Sequence, residues 1–166
     1  LRHMNASPAA ITWKAGVDVL SFGATKNGAM AAEAVVFFDE ELAKTFAFRR
    51  KRAGHLISKM RFVSAQLDAY LEGDLWLRLA QHANDQAATL VAGLKALNGV
   101  ELLHPVEANE IFIRLPLPVV AGLRKAGFDF YDWPGAAPGT IRLVTSFATK
   151  ADDVAKFVAT AQQLAA

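Results

Sequence analysis

The 166-residue sequence contains no cysteine, which excludes disulfide bonds and thiolate metal sites. It also lacks a long hydrophobic run, since no apolar stretch approaches the roughly 20 residues of a membrane-spanning helix. The first ten residues lack the apolar centre of a signal peptide. The four histidines, His3, His55, His82 and His104, show no metal-ligand spacing. We therefore expect a soluble, cytoplasmic protein with no metal site and no membrane partner.

An excess of charge of one sign is also missing, because 18 basic and 16 acidic residues give a net charge of +2. The two signs are mostly interspersed, which argues against a nucleic-acid partner. The one basic cluster, residues 49–52, is most simply a solvated helix face, and a phosphate or subunit contact is the alternative. Hydrophobic residues make up 53% of the chain, which is enough to form a substantial core.

Two apolar runs near the start of the chain predict strands of an α/β sheet. They are "VDVLSF" at residues 17–22 and "AAEAVVFF" at residues 31–38. The second is apolar almost throughout, which is typical of a parallel strand buried on both faces. Asp39 is expected to cap the helix that follows. Because such sheets are normally built from several strands, two alone indicate that the chain is incomplete.

Helical periodicity dominates residues 55–97, with a break near Gly73. The pattern of residues 98–166 predicts a compact α+β unit. Its predicted strands are "VELLHP", "EIFIRLP", "FDFYDW" and "TIRLVTSF", and its predicted helices are "PVVAGLRKAG" and the stretch from residue 149 or 150 to the end. Phe130, Tyr131 and Trp133 are expected in the core. We accordingly divide the chain into a remnant of a larger domain at 1–54, a connecting helical segment at 55–97 and a small C-terminal domain at 98–166.

One lysine, Lys26, lies between the two N-terminal strands, in a turn with Thr25, Asn27 and Gly28. A turn lysine is most simply a surface residue. Here, however, the apolar strands fix the base of the turn and the small neighbours leave room for a flat ligand. Partial desolvation would favour the neutral amine, the form that attacks a carbonyl carbon to make a Schiff base. Spacing alone leaves both interpretations open.

Three motifs in the same order resemble the C-terminal part of the threonine aldolase family, enzymes that use pyridoxal 5′-phosphate (PLP) on the aspartate-aminotransferase-like fold, fold type I. The motifs are "DVLSFGATKNGAMAAEAVVFF", "FRRKRAGHLISKMRF" and "TIRLVTSF". The resemblance implies an α/β fold class. In it, residues 1–54 are a remnant of the large, PLP-binding parallel-sheet domain, followed by the long helix and the small α+β C-terminal domain.

The resemblance also implies roles for individual residues. In the family, the lysine after the first of these strands carries PLP as a Schiff base, and it maps onto Lys26. Two arginines associated with the substrate α-carboxylate map onto Arg61 and Arg142. Thr25 is a candidate donor to the PLP phosphate, although a turn hydroxyl more often bonds its own backbone. Without the family, Arg142 could simply pair with a carboxylate of the neighbouring helix, and Arg61 could be a solvated helix residue.

The implied function is a PLP-dependent aldolase that cleaves L-threonine, L-allo-threonine or related β-hydroxy amino acids to glycine and an aldehyde, as a homodimer or homotetramer. In the family, a glycine-rich phosphate cradle, a histidine stacked on the ring and an aspartate at the pyridine nitrogen come from the N-terminal half. The opening "LRHM" is followed by Asn5 and Ala6, where the family has Asp and Gly. We therefore expect this chain alone to be an inactive piece.

Two alternatives remain open from the sequence. Within enzymes, the chain could belong to another PLP lyase of the same fold, such as a β-eliminating enzyme. From a different class, it could be a non-catalytic α+β interaction module, in which Lys26 has no chemical role.

Overall fold

The computed structural model describes all 166 residues, which form two units, Leu1–Leu79 and Ala80–Ala166. The division between the units falls inside the predicted connecting segment 55–97, within a single helix. The three-part division proposed from the sequence stays a prediction. No helix has the length and apolar character that crossing a membrane requires.

The first unit is built on an antiparallel β-hairpin. Strand β1 (Val19–Gly23) pairs with strand β2 (Glu33–Phe37), with Gly23 opposite Glu33, and the 3₁₀ turn Thr25–Asn27 lies between them. Neither strand is buried on both faces. The prediction of parallel strands is wrong for this pair, which is antiparallel. Parallel neighbours need a crossover of about a dozen or more residues, and the connection between β1 and β2 is too short for one.

The first unit also contains helices. They are α1 (Glu40–Ala43), α2 (Phe46–Arg52), α3 (Arg61–Leu71) and the start of α4 (Leu75–Leu94). Asp39 caps α1 as predicted, since its Oδ1 accepts a hydrogen bond from the N–H of Glu41 at 2.8 Å. The predicted break is also confirmed, because Gly73 has a φ of 53° between α3 and α4.

The core of the first unit is small and lies directly beneath the hairpin turn. Ala24, Ala32 and Tyr70 are buried there. The ring of Phe22 packs against the rings of Tyr70 and Trp76, with centroid distances of 6.0 and 5.5 Å. Helices α3 and α4 thus support the turn that carries Lys26.

The second unit is a four-stranded antiparallel sheet with helices on one face. The strands are β3 (Glu101–Leu102), β4 (Glu110–Arg114), β5 (Tyr131–Asp132) and β6 (Thr140–Val144), in the order β3-β4-β6-β5, and the helices are the later part of α4, α5 (Leu117–Lys125) and α6 (Ala151–Ala165). All the elements predicted for residues 98–166 are therefore present, although β3 and β5 are short.

Alternation along the strands decides which residues of the second unit are buried. Ile111, Ile113 and Ile141 are fully buried in the core with residues of α4, α5 and α6. Their neighbours in the strands therefore point to the opposite face. Phe130 is buried as predicted, but Tyr131 and Trp133 are 75% and 41% exposed, so their assignment to the core was wrong.

Candidate functional site

Lys26 lies in the 3₁₀ turn of the hairpin, which ends at Gly28 with a φ of 118°. A positive φ of this size favours glycine, so the local sequence "TKNG" suits the turn. The Lys26 side chain is exposed, and its ammonium has no hydrogen-bond or ion-pair partner. The partial desolvation expected from the sequence is not found in this chain. What the structure presents is an unpartnered primary amine on a fixed turn.

The Thr25 hydroxyl closes the base of that turn. Its Oγ1 accepts a hydrogen bond from the Ala32 N–H at 3.0 Å and lies 3.3 Å from the Ala32 carbonyl oxygen, to which it donates. The backbone N–H of Ala24 also donates to the Ala32 carbonyl, at 2.9 Å. The hydroxyl is thus bonded to nearby backbone, which was the simpler of its two interpretations. A contact between Thr25 and a phosphate stays a prediction.

Asn27 ties the other side of the turn to the helices. Its Nδ2 donates to Tyr70 Oη at 2.6 Å and to the Trp76 carbonyl at 3.0 Å. A few residues later, the Ala31 N–H donates to Gln66 Oε1 at 3.0 Å. Asn27 was not among the sequence candidates, because its partners are more than forty positions away and only the fold brings them together. The backbone of Lys26 is therefore held from both sides.

A groove with a volume of about 450 Å³ lies beside the residues that follow Lys26. It is lined by the turn residues Gly28, Ala29 and Met30 and, from the helices, mainly by apolar side chains together with Gln66. Lys26 is not one of the lining residues. The room expected around the lysine is thus found next to the turn and not at the amine itself.

Arg61 is the first residue of α3 and is exposed. Its guanidinium carbon lies 4.9 Å from the centroid of the Phe62 ring, a cation–π contact. The guanidinium group makes no hydrogen bond or ion pair. Helix α3 contacts the lysine turn through Tyr70 and Gln66. Arg61 therefore begins a helix that is bound to the turn, but it does not itself contact Lys26.

Arg142 lies on β6 in the second unit and is paired with Glu110 on β4. Arg142 Nε donates to Glu110 Oε1 at 3.0 Å, and Nη2 bonds the same oxygen. The sequence alternative of a carboxylate partner was right, but the carboxylate belongs to the neighbouring strand and not to a helix. Sequence reasoning missed Glu110 because only the β4–β6 register, with Phe112 opposite Arg142, brings it within reach.

The sequence of this chain matches a known protein family. The sequence model of the beta-eliminating lyase family matches residues 2–116. The chain belongs to the beta-eliminating lyase family. Over 147 residues, this chain is 46% identical to a low specificity L-threonine aldolase of a Pseudomonas species. The match covers 89% of this chain and 42% of that protein. The chain thus spans less than half the length of that relative.

Solved structures show which fold this chain shares. A threonine aldolase of Leishmania major is 32% identical with a TM-score of 0.84, covering 90% of this chain and 44% of that chain. A glycine decarboxylase of the glycine cleavage system is 15% identical with a TM-score of 0.51, covering 88% and 34%, and shows the fold alone. The predicted resemblance to threonine aldolases and the predicted fold class are thereby confirmed.

Proposed function

We propose that this chain is part of a PLP-dependent carbon–carbon lyase that cleaves L-threonine, L-allo-threonine or related β-hydroxy amino acids to glycine and an aldehyde. The observation that carries the proposal is the Lys26 amine, which is exposed, unpartnered and mounted on a turn held from both sides. The threonine aldolases among its relatives support the same reaction. Because the chain covers 42% of such a relative, the activity proposed is that of the whole protein.

Lys26 fits PLP as its covalent anchor, because an aldehyde condenses with a primary amine that no carboxylate already holds. When bound, PLP supplies an electron sink for the charge left on Cα as the Cα–Cβ bond breaks. With its amine free, Lys26 Nζ would be a base that can hold or move a proton at the substrate Cα. Thr25 can donate to the cofactor phosphate only by giving up its 3.3 Å hydrogen bond to the Ala32 carbonyl.

Arg142 and Arg61 are proposed to bind the α-carboxylate of the amino-acid substrate. A guanidinium offers a planar fork of N–H donors to a carboxylate, and fixing the carboxylate sets which bond at Cα is aligned for cleavage. Arg61 has its donors unpaired, and Arg142 keeps part of its fork unpaired. The cytoplasmic location and the homodimer or homotetramer stay predictions.

A chimera tests the proposed function in a complete protein. The matched segment of the Pseudomonas aldolase, which is 46% identical, is replaced by the corresponding residues of this chain. We expect the chimera to form glycine and acetaldehyde from L-threonine, and the Lys26→Ala chimera to lose at least about a thousandfold in rate, since covalent catalysis is removed. The control Lys125→Ala lies on α5 and should keep the parent rate. A Lys26→Ala chimera as active as its parent would refute the proposal.

The isolated chain is predicted to be inactive. The residues that hold the ring nitrogen and the phosphate in the family are not identified among its 166 residues. We therefore expect no glycine from L-threonine when the purified chain is incubated with PLP. Formation of glycine above the rate of PLP alone would contradict this prediction.

The second candidate is β-elimination, which the description of the matching family model favours. An enzyme of that kind would release ammonia and pyruvate from L-serine, or indole from L-tryptophan. Measuring these products beside glycine and acetaldehyde separates the two reactions. A chimera that releases pyruvate faster than it forms glycine would favour β-elimination over aldol cleavage.

A further inference from the structure

Arg142 occupies the middle of a sheet face that the helices of the second unit do not cover. In the register of the sheet, Phe112 on β4 lies opposite Arg142 on one side, and Tyr131 on β5 lies opposite it on the other. Cross-strand neighbours of this kind are in side-chain contact range on one face of the sheet. The Phe112 ring is itself held by an edge contact with Trp133, with centroids 4.7 Å apart. In the register of the sheet, Arg142 therefore lies between two aromatic residues.

Glu110 restrains the end of the same side chain. It lies diagonally across from Arg142, two residues before Phe112 on β4, and its Oε1 accepts from both Nε and Nη2. These two nitrogens form one edge of the planar guanidinium. The other edge is formed by Nη1 and Nη2, and its remaining N–H groups have no partner in the structure. One edge of the fork is thus committed and the other is open.

We propose that Glu110 is a positioning residue for substrate binding, a step that rests on the proposed function of Arg142. By holding the Nε/Nη2 edge, Glu110 presents the Nη1/Nη2 edge to the α-carboxylate of the substrate and allows one docking orientation instead of two. The effect is geometric, because the negative charge of Glu110 does not itself attract a carboxylate. Loss of Glu110 is therefore expected to relax the orientation without weakening the attraction for an anion.

The sheet contains a matched control for this arrangement. Arg114 on β4 pairs with Glu101 on β3, on the same face of the sheet, through its Nη2. Both pairs are partly exposed, with side-chain exposures of 32% and 43% for Arg142 and Glu110 and 46% and 56% for Arg114 and Glu101. Glu101→Gln therefore removes an equivalent charge without touching the pair under test.

The test follows the side-chain nitrogens of Arg142 by NMR in the 166-residue chain. The probe is acetate, titrated against chloride at constant ionic strength, so that neither PLP nor turnover is required. The Arg142 Nε–H resonance is assigned by its absence in Arg142→Lys. In the wild type, we expect acetate to shift the Nη resonances of Arg142 while the Nε–H resonance stays in place. In Glu110→Gln, the Nε–H shift should be at least about fivefold larger, because an uncharged amide oxygen holds that edge less strongly than a carboxylate does and both edges can then donate to the anion.

Two further variants serve as a control and as a substitute for Glu110→Gln. Glu101→Gln should behave as the wild type at Arg142. Glu110→Asp keeps the charge but shortens the reach, so it should resemble Glu110→Gln, and it replaces that variant if Glu110→Gln fails to fold. The wild-type measurement needs only the Arg142→Lys variant, for the assignment.

Three results would overturn the proposal: a wild-type Nε–H that moves together with the Nη resonances, a Glu110→Gln spectrum that responds as the wild type does, or no acetate response at Arg142. None of these bears on Lys26. Covalent attachment of PLP at Lys26 is measured separately and is expected to persist in Glu110→Gln, so failure here is distinguishable from failure of the proposed function.

Discussion

Among single residues, Asn27 contributes more than Lys26 to holding the lysine turn in place. Its amide donates to Tyr70 and to the Trp76 carbonyl, while the lysine side chain makes no hydrogen bond or ion pair. Asn27→Ala removes the hydrogen bonds that its amide donates to the Tyr70 hydroxyl and the Trp76 carbonyl, both at partly buried sites. We expect the free energy of unfolding to fall by about 1–3 kcal/mol. Urea denaturation of the purified variant measures this change.

Asn98→Ala is the matched control for that variant. Asn98 is exposed and makes no side-chain hydrogen bond, so its replacement should change the free energy of unfolding by less than about 0.5 kcal/mol. If the two alanine variants unfold at the same urea concentration, the hydrogen bonds of Asn27 do not stabilise the turn.

Residues with local partners could be predicted from the sequence, and residues with distant partners could not. Asp39 caps a helix by bonding an N–H only two residues away, and Gly28 directly follows the turn that it ends. Each pattern is therefore visible within a few consecutive residues of the sequence. Asn27 and Glu110 depend on partners that are 43 and 32 positions away. No local pattern marks such pairs, because only packing and strand register bring them together. For Lys26, the sequence left a surface position and a partly desolvated one open, and the structure has it exposed.

At the scale of elements, two glycines show how closely the helices of the second unit approach one another. A Cβ on Gly93 of α4 would lie 2.6 Å from Val158 Cγ1, and a Cβ on Gly122 of α5 would lie 2.5 Å from Leu164 Cδ2. Val158 is β-branched and lies within α6, so it cannot turn away easily. Leu164 is in the last turn of α6 and partly exposed, so its side chain can rotate.

The two glycines should therefore respond differently to alanine. Overpacking costs about 1–3 kcal/mol, while replacing a helical glycine by alanine gains roughly 1 kcal/mol. We expect Gly93→Ala to destabilise the chain by about 1 kcal/mol and Gly122→Ala to be close to neutral. Thermal unfolding of both variants checks this order. The Gly93→Ala/Val158→Ala double variant should recover part of the loss, and a Gly93→Ala chain as stable as the wild type would contradict the close contact.

Element positions were predicted better than element pairing. Runs such as "TIRLVTSF" mark a strand because β-branched and apolar residues alternate with polar ones. The run "AAEAVVFF" also marks a strand, but an unbroken apolar run does not reveal how that strand pairs. In the structure, Val35 and Val36 are 44% and 36% exposed on an antiparallel hairpin. The prediction of parallel pairing was wrong because it was based on hydrophobicity and not on the length of the connection between β1 and β2.

For the molecule as a whole, the two units differ in the size of their cores. The buried core of the first unit consists of Ala24, Ala32 and Tyr70. The second unit buries a much larger set, which includes Leu94, Ile111, Ile113, Leu123, Ile141 and Phe157. Since burial of apolar area is the main stabilising term, the first unit should open more often than the second.

Native-state hydrogen exchange measures this difference. After correction for intrinsic rates, we expect the amides of β1 and β2 to exchange at least about tenfold faster than those of β4 and β6. Equal protection of the two sheets would show that the chain opens only as a single cooperative body, contrary to this prediction.

The central claim, that the Lys26 amine is the attachment point for PLP, is tested most directly by reductive trapping. The chain is incubated with PLP, reduced with borohydride and mapped by peptide mass spectrometry. We predict that the label concentrates on Lys26 and is lost in Lys26→Ala. Lys44, whose ammonium is paired with Glu41 at 2.5 Å, should remain weakly labelled, and Lys44→Ala should leave the label on Lys26 unchanged. A label spread evenly over the lysines, or one that survives in Lys26→Ala at the wild-type level, would contradict the account.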